Sequence, residues 1–114
     1  MPLSAADIRL LKKIGNDEAS FVRYDKDGFA KLRNCHGFCV FYDVSRFRCR
    51  VYEHRPSGCR VYPVIYSNRY GVIVDELCPQ WETVSEAEIL TKGRVLKRLL
   101  PRIDAEAAHR RVHA

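Results

Sequence analysis

Cys39-Val40-Phe41-Tyr42, Cys49-Arg50-Val51-Tyr52 and Cys59-Arg60-Val61-Tyr62 are three copies of one Cys-x-x-Tyr tetrad at ten-residue spacing, followed by Cys78-Pro79. Four thiols within forty residues are the feature around which the rest of the chain must be arranged. A chain of 114 residues buries a modest core, so one strong cross-link can decide whether it folds. A structural zinc contributes about 10–16 kcal/mol in small domains, comparable to the whole stability of such a domain.

The five cysteines are an odd number, and Met1 to Asp7 has neither a basic n-region nor an apolar h-region. The expected location is therefore the reducing cytoplasm, where close-set thiols indicate metal binding or catalysis rather than disulfides. No apolar run approaches the ~20 residues that cross a bilayer, so no membrane association is expected. Twenty Lys plus Arg against fourteen Asp plus Glu give a net charge of +6, which permits nucleic acid or an acidic protein as partner. Thiolates around a divalent ion carry net negative charge, so Arg48, Arg50, Arg55 and Arg60 can also serve to balance the site.

The flanking sequence predicts an α+β fold: short antiparallel hairpins, a cysteine-rich loop region around one metal site, and a long carboxyl-terminal helix. Ser4-Ala5-Ala6-Asp7 forms a capping box, with Leu3 and Ile8 at the staple positions, so a helix is expected over about Ala5–Ile14 and closed by Gly15. Asp17 to Ser20 adds one helical turn. Phe21–Tyr24 and Phe29–Leu32 flank the turn Asp25-Lys26-Asp27-Gly28, and Val64–Tyr66 and Val72–Val74 flank Ser67 to Gly71 as a second hairpin. Phe38 to Tyr42 reads as one strand, and Arg55-Pro56 as a break before a short helical turn.

Ser85 as N-cap and Glu88 at N3 open the last helix, with Ile89, Leu96, Leu99 or Leu100, and Ile103 facing the core. Pro101 should kink or end it. The domain is accordingly drawn over residues 1–103, and residues 104–114, basic and with little apolar periodicity, are expected to form a frayed or partner-dependent tail. Lys92, Arg94, Lys97, Arg98, Arg110 and Arg111 are the basic residues through which this region would contact nucleic acid or an acidic protein; the alternative is a solvated helix face.

Cys39, Cys49, Cys59 and Cys78 are the candidate metal ligands, and Cys35 is a substitute or extra one. Thiolate sulfur suits Zn²⁺ and iron–sulfur clusters alike. Spacing counts against a zinc knuckle, because the intervening lengths of three, nine, nine and eighteen residues contain no Cys-x-x-Cys pair, and both centres stay open. His36 and His54 adjoin ligand positions, although four cysteines leave them no required role. The competing reading of the thiols is as small buried core residues. Cys59 beside Arg60 also has the setting of an activated thiol, but no His and acid are matched to it, so no catalytic residue is assigned. Tyr42, Tyr52 and Tyr62 are expected to wall the site and bridge it to the core.

The run Tyr52-Glu53-His54-Arg55-Pro56-Ser57-Gly58-Cys59-Arg60-Val61-Tyr62-Pro63 resembles the Tyr-x-x-Arg-Pro-x-x-Cys-Arg-x-Tyr-Pro signature of the YkgJ-type cysteine-cluster family, whose described property is zinc or iron chelation. The similarity extends to the segments at Cys39 and Cys49, to Cys78-Pro79 and to Pro2-Leu3-Ser4-Ala5-Ala6-Asp7-Ile8, covering about Pro2 to Trp81. The resemblance implies one centre holding zinc or iron. Members usually open with a Cys-x-x-Cys-x-x-Cys-Cys cluster just ahead of the Pro2 segment. Two expectations follow: a short form that keeps only the second cysteine set, or a longer reading frame with cysteine codons upstream of Met1. Methylase activity found among some relatives is not carried over, because no methyl-donor pocket signature occurs.

Overall fold

The structure, a computed structural model, describes residues 2–113. The first helix, α1 (Ala5–Lys13), starts where the capping box predicts: Ser4 Oγ accepts from Asp7 N, and Asp7 Oδ2 accepts from Ser4 N. Leu3, just ahead of it, bridges to Ala30 and anchors the amino-terminal segment to the first hairpin. One turn of helix, α2 (Glu18–Phe21), leads into β1 (Val22–Tyr24), which pairs antiparallel with β2 (Ala30–Leu32). Asp25 Oδ1 accepts from the amides of Asp27 and Phe29 and shapes the intervening turn.

Two much shorter hairpins follow without a break. β3 (Asn34–Cys35) pairs with β4 (Phe38–Cys39), and β5 (Tyr42–Asp43) pairs with β6 (Arg48–Cys49). The strand expected over Phe38 to Tyr42 is therefore divided between two hairpins. The turn at His36-Gly37, with φ of 52° and 83°, has the paired positive φ of a two-residue type I′ loop, which lets two-residue strands close. Amide-to-carbonyl bonds from Arg33 to Phe21, Val40 to Arg33 and Arg50 to Phe41 seal the base of each hairpin, so the base of one begins the next.

A 3-10 turn at Tyr52–His54 and the short helix α3 (Ser57–Val61) carry the chain to the last hairpin, β7 (Val64–Ser67) with β8 (Gly71–Val74). The buried Pro56 stands at the N-cap of α3, one residue ahead of the first helical position expected for it. After a turn through Cys78 and a 3-10 turn at Trp81–Thr83, the long helix α4 (Glu86–His113) completes the fold.

Two apolar clusters form the core. Leu3, Ile8, Leu11, Phe21, Val22, Ala30 and Phe41 make the first, on which Cys39 and Cys49 also pack. Val61, Val64 and Leu96 make the second, covered by Val72, Val84 and Ile89. The core face of α4 is Gly93, Leu96, Leu99, Ile103 and Ala107; Leu99 is the buried member of the Leu99–Leu100 pair.

Pro101 does not end α4, and residues 104–113, expected to fray, are helical; Ala114 lies outside the described residues. The helix continues because its far end is held. Ile103 and Ala107 are buried, Glu106 accepts from Ala5 N through both carboxylate oxygens, and Arg110 and Arg111 donate to the carbonyls of Gly28 and Asp27.

Candidate metal centre

Cys39 and Cys49 occupy equivalent places. Each is the last residue of its hairpin, paired with the first (Asn34 with Cys39, Tyr42 with Cys49), and each packs against the first apolar cluster. The ten-residue spacing is thus the length of one such hairpin with its connection. Cys59 comes from a different element, the middle of α3, and is surface-exposed. Cys39 and Cys59 line one cavity of about 660 Å³, together with Pro56, Gly58, Tyr62 and Asp75. Cys49 opens on a second cavity of about 630 Å³ with Tyr52 and His54.

The placement of α3 depends on Asp7. While Oδ2 closes the α1 capping box, Oδ1 accepts from both Ser57 N, at 3.1 Å, and Ser57 Oγ, at 3.0 Å. A side chain that is 4% exposed therefore fastens the start of α1 to the start of α3, two residues before Cys59. Although Cys59 is exposed as a residue, partial withdrawal of its thiol from water pushes it above its ordinary pKa, and the charges of Cys39, Cys49 and Asp7 push in the same direction.

Cys78 sits beyond Tyr62, in the turn after β8. Tyr62 Oη donates to Asp75 Oδ2 at 2.6 Å, and Cys78 N donates to Asp75 O at 3.1 Å. The hydrogen bond to Asp75, with smaller contributions from burial and from the charges of Asp75 and Cys78, holds Tyr62 at about 12; the same bond lowers Asp75. Cys35, exposed in β3, pairs with Phe38 next to the His36-Gly37 turn, while Cys39 sits at the hairpin base. Among the described residues, no three His, Cys, Asp or Glu side chains stand close enough together to hold a metal ion. Cys39 thus shares a cavity with Cys59 and an apolar cluster with Cys49, but the three do not converge on one point.

The donors fit the group in kind. Soft sulfurs in a region rich in guanidinium groups suit zinc or iron. The nearby arginines are fixed locally: Arg50 Nη2 donates to Val40 O, Arg55 Nε to Tyr52 O, and Arg60 Nη2 to Ser57 Oγ. The three tyrosines diverge. Tyr62 lines the Cys39–Cys59 cavity and Tyr52 lines the Cys49 cavity beneath the Arg55 guanidinium, 4.0 Å from its ring centroid, while Tyr42 stacks on Phe38. Asp7 and Asp75 were not among the site residues expected from sequence. Asp7 had a visible signal as a capping residue, but Asp75 had none.

The basic face expected on α4 is reduced. Lys92 pairs with Glu88, Arg110 and Arg111 are engaged with the β1–β2 turn, and Arg94, Lys97 and Arg98 are exposed. No described helix is long and apolar enough to cross a membrane.

A small α+β domain with thiols at hairpin bases, on a short helix and in a turn defines the class as a cysteine-cluster domain. A family model, CxxCxxCC, described as a putative zinc- or iron-chelating domain, matches residues 2–79, more than half of the chain. The chain belongs to that family, whose described property is zinc or iron chelation. No curated protein and no solved structure matches it.

Proposed function

We propose that this is a small cytoplasmic metal-binding protein whose Cys39, Cys49, Cys59 and Cys78 hold one centre, an iron–sulfur cluster or a Zn²⁺ ion. The observation that carries the reading is that Cys39 and Cys59, from elements twenty residues apart, line one cavity, with Cys49 packed on the same apolar cluster as Cys39. Cys78 supplies the fourth sulfur from the turn after β8. These elements are two-residue strands, a five-residue helix and a turn. Cys35 is exposed toward the tip of its hairpin and is left out of the donor set.

Zinc would act as a structural cross-link between the two apolar clusters, while an iron–sulfur cluster would add one-electron chemistry. Anaerobic purification followed by a visible spectrum and metal analysis separates the two. A brown protein with iron and sulfide identifies the cluster, and a colourless one with one zinc per chain identifies the ion. A protein that retains neither and takes up neither on reconstitution contradicts the proposal.

A further inference from the structure

The turn that carries Cys78 has little to hold it by packing. Glu76, Leu77, Pro79 and Gln80 are exposed, Leu77 to 89%. Its ties are polar: Cys78 O accepts from Trp81 N at 3.1 Å, and the others meet at Asp75. That residue's amide donates to Pro63 O at 2.8 Å, its Oδ1 accepts from Leu77 N at 3.0 Å, and its carbonyl accepts from Cys78 N at 3.1 Å. Its remaining oxygen, Oδ2, accepts from Tyr62 Oη. Tyr62 is the C-cap of α3, three residues after Cys59, and Asp75 lies three residues before Cys78.

We infer that Tyr62 and Asp75 are positioning residues for the metal centre, a side-chain clasp that fixes the Cys78 turn against the helix bearing Cys59. The inference rests on the four-cysteine reading above. Tyr62 is 46% exposed, and a hydrogen bond at such a site contributes little net stability because water competes for both partners. Its effect is on orientation. A partner of a ligand-bearing segment typically governs affinity by about 10–100-fold when removed.

The test uses the full chain, metal-free and reduced, titrated with Co²⁺ alone, because the thiolate-to-cobalt charge-transfer band grows with the number of bound thiolates. The unaltered chain should show a four-thiolate band. Tyr62→Phe and Asp75→Asn should each bind Co²⁺ about 10–100-fold more weakly. Their bands should fall to the intensity that Cys78→Ser gives, while far-ultraviolet circular dichroism stays unchanged. Tyr66→Phe, at an exposed tyrosine of β7, should behave as the unaltered chain. If Tyr62→Phe and Asp75→Asn keep full band intensity, or lose affinity without losing a thiolate, the clasp is overturned and the four-cysteine reading stands. If the unaltered chain gives no thiolate band, the clasp is overturned, while the four-cysteine reading is decided by reconstitution with iron and sulfide. Should one variant fail to fold, the other decides.

Discussion

Among the described residues, Asp7 makes the longest-range side-chain hydrogen bond to the cysteine region. The local half of its role, the capping box, is legible in Ser4-Ala5-Ala6-Asp7 because partners three residues apart need no tertiary knowledge. The other half, the grip on Ser57, joins residues fifty positions apart and leaves no trace in spacing. Replacing Asp7 by Ala removes a cap and leaves the amide and hydroxyl of Ser57 without their acceptor. The expected cost is about 2–4 kcal/mol, measured as a drop in the urea midpoint at unchanged slope. A loss no larger than an ordinary surface substitution would show that the tie is dispensable.

Tyr62 offers a second test at this scale. Its folded pKa is raised, so its stabilisation is complete below the ordinary tyrosine value of 10.0 and is lost as pH rises through about 12. Asp75 is lowered, so its share is present above the ordinary 3.8 and disappears as pH falls through its depressed value. In the metal-free chain, phenolate absorbance should contain a step near 12 that belongs to Tyr62. Tyr62→Phe should delete that step, and Asp75→Asn should move it down. A step near 12 that survives Tyr62→Phe belongs to another group.

Among the elements, those with a strong local signal match the sequence most closely: α1 at its cap, the β1–β2 and β7–β8 hairpins at their turns, and the start of α4, where Glu88 N donates to Ser85 Oγ. The Phe38–Tyr42 run misleads because aromatic and β-branched residues mark strand propensity without marking where a strand ends. Here Val40 and Phe41 join two hairpins, and Phe41 turns into the core. Pro101 misleads for the converse reason. Its local cost in a helix is real, but contacts from Ile103, Ala107, Glu106, Arg110 and Arg111 outweigh it, and these depend on residues at the other end of the chain.

The clearest of those contacts is at Gly28. Its φ is +87°, and a Cβ there would stand 2.5 Å from Ala107 O, so the turn rests directly on the α4 backbone. Gly28→Ala should therefore cost about 1–3 kcal/mol and preferentially release the last two turns of α4. Amide hydrogen exchange over residues 104–113 measures this. Unchanged protection there would mean that α4 holds its end without the turn.

At the scale of the whole molecule, Cys39 and Cys49 pack on the first apolar cluster while the helix that bears Cys59 contributes Val61 to the second, and α4 spans from the second cluster to the first hairpin. The four thiols and their repeat were legible in the sequence, as was their likeness to a chelating family, because identity and spacing are one-dimensional facts. Their relative placement was not, since it follows from hairpin bases, the Asp7 tie and the Tyr62–Asp75 bond. A metal joining these elements would add stability of the same order as the fold itself, about 10 kcal/mol.

The most direct measurement is metal content per chain of the anaerobically purified protein, compared across single Cys→Ser forms. One centre is predicted in the unaltered chain and in Cys35→Ser, with metal lost or much reduced in Cys39→Ser, Cys49→Ser, Cys59→Ser and Cys78→Ser. Full metal content in any of those four, or none in the unaltered chain, would contradict a centre built from these sulfurs.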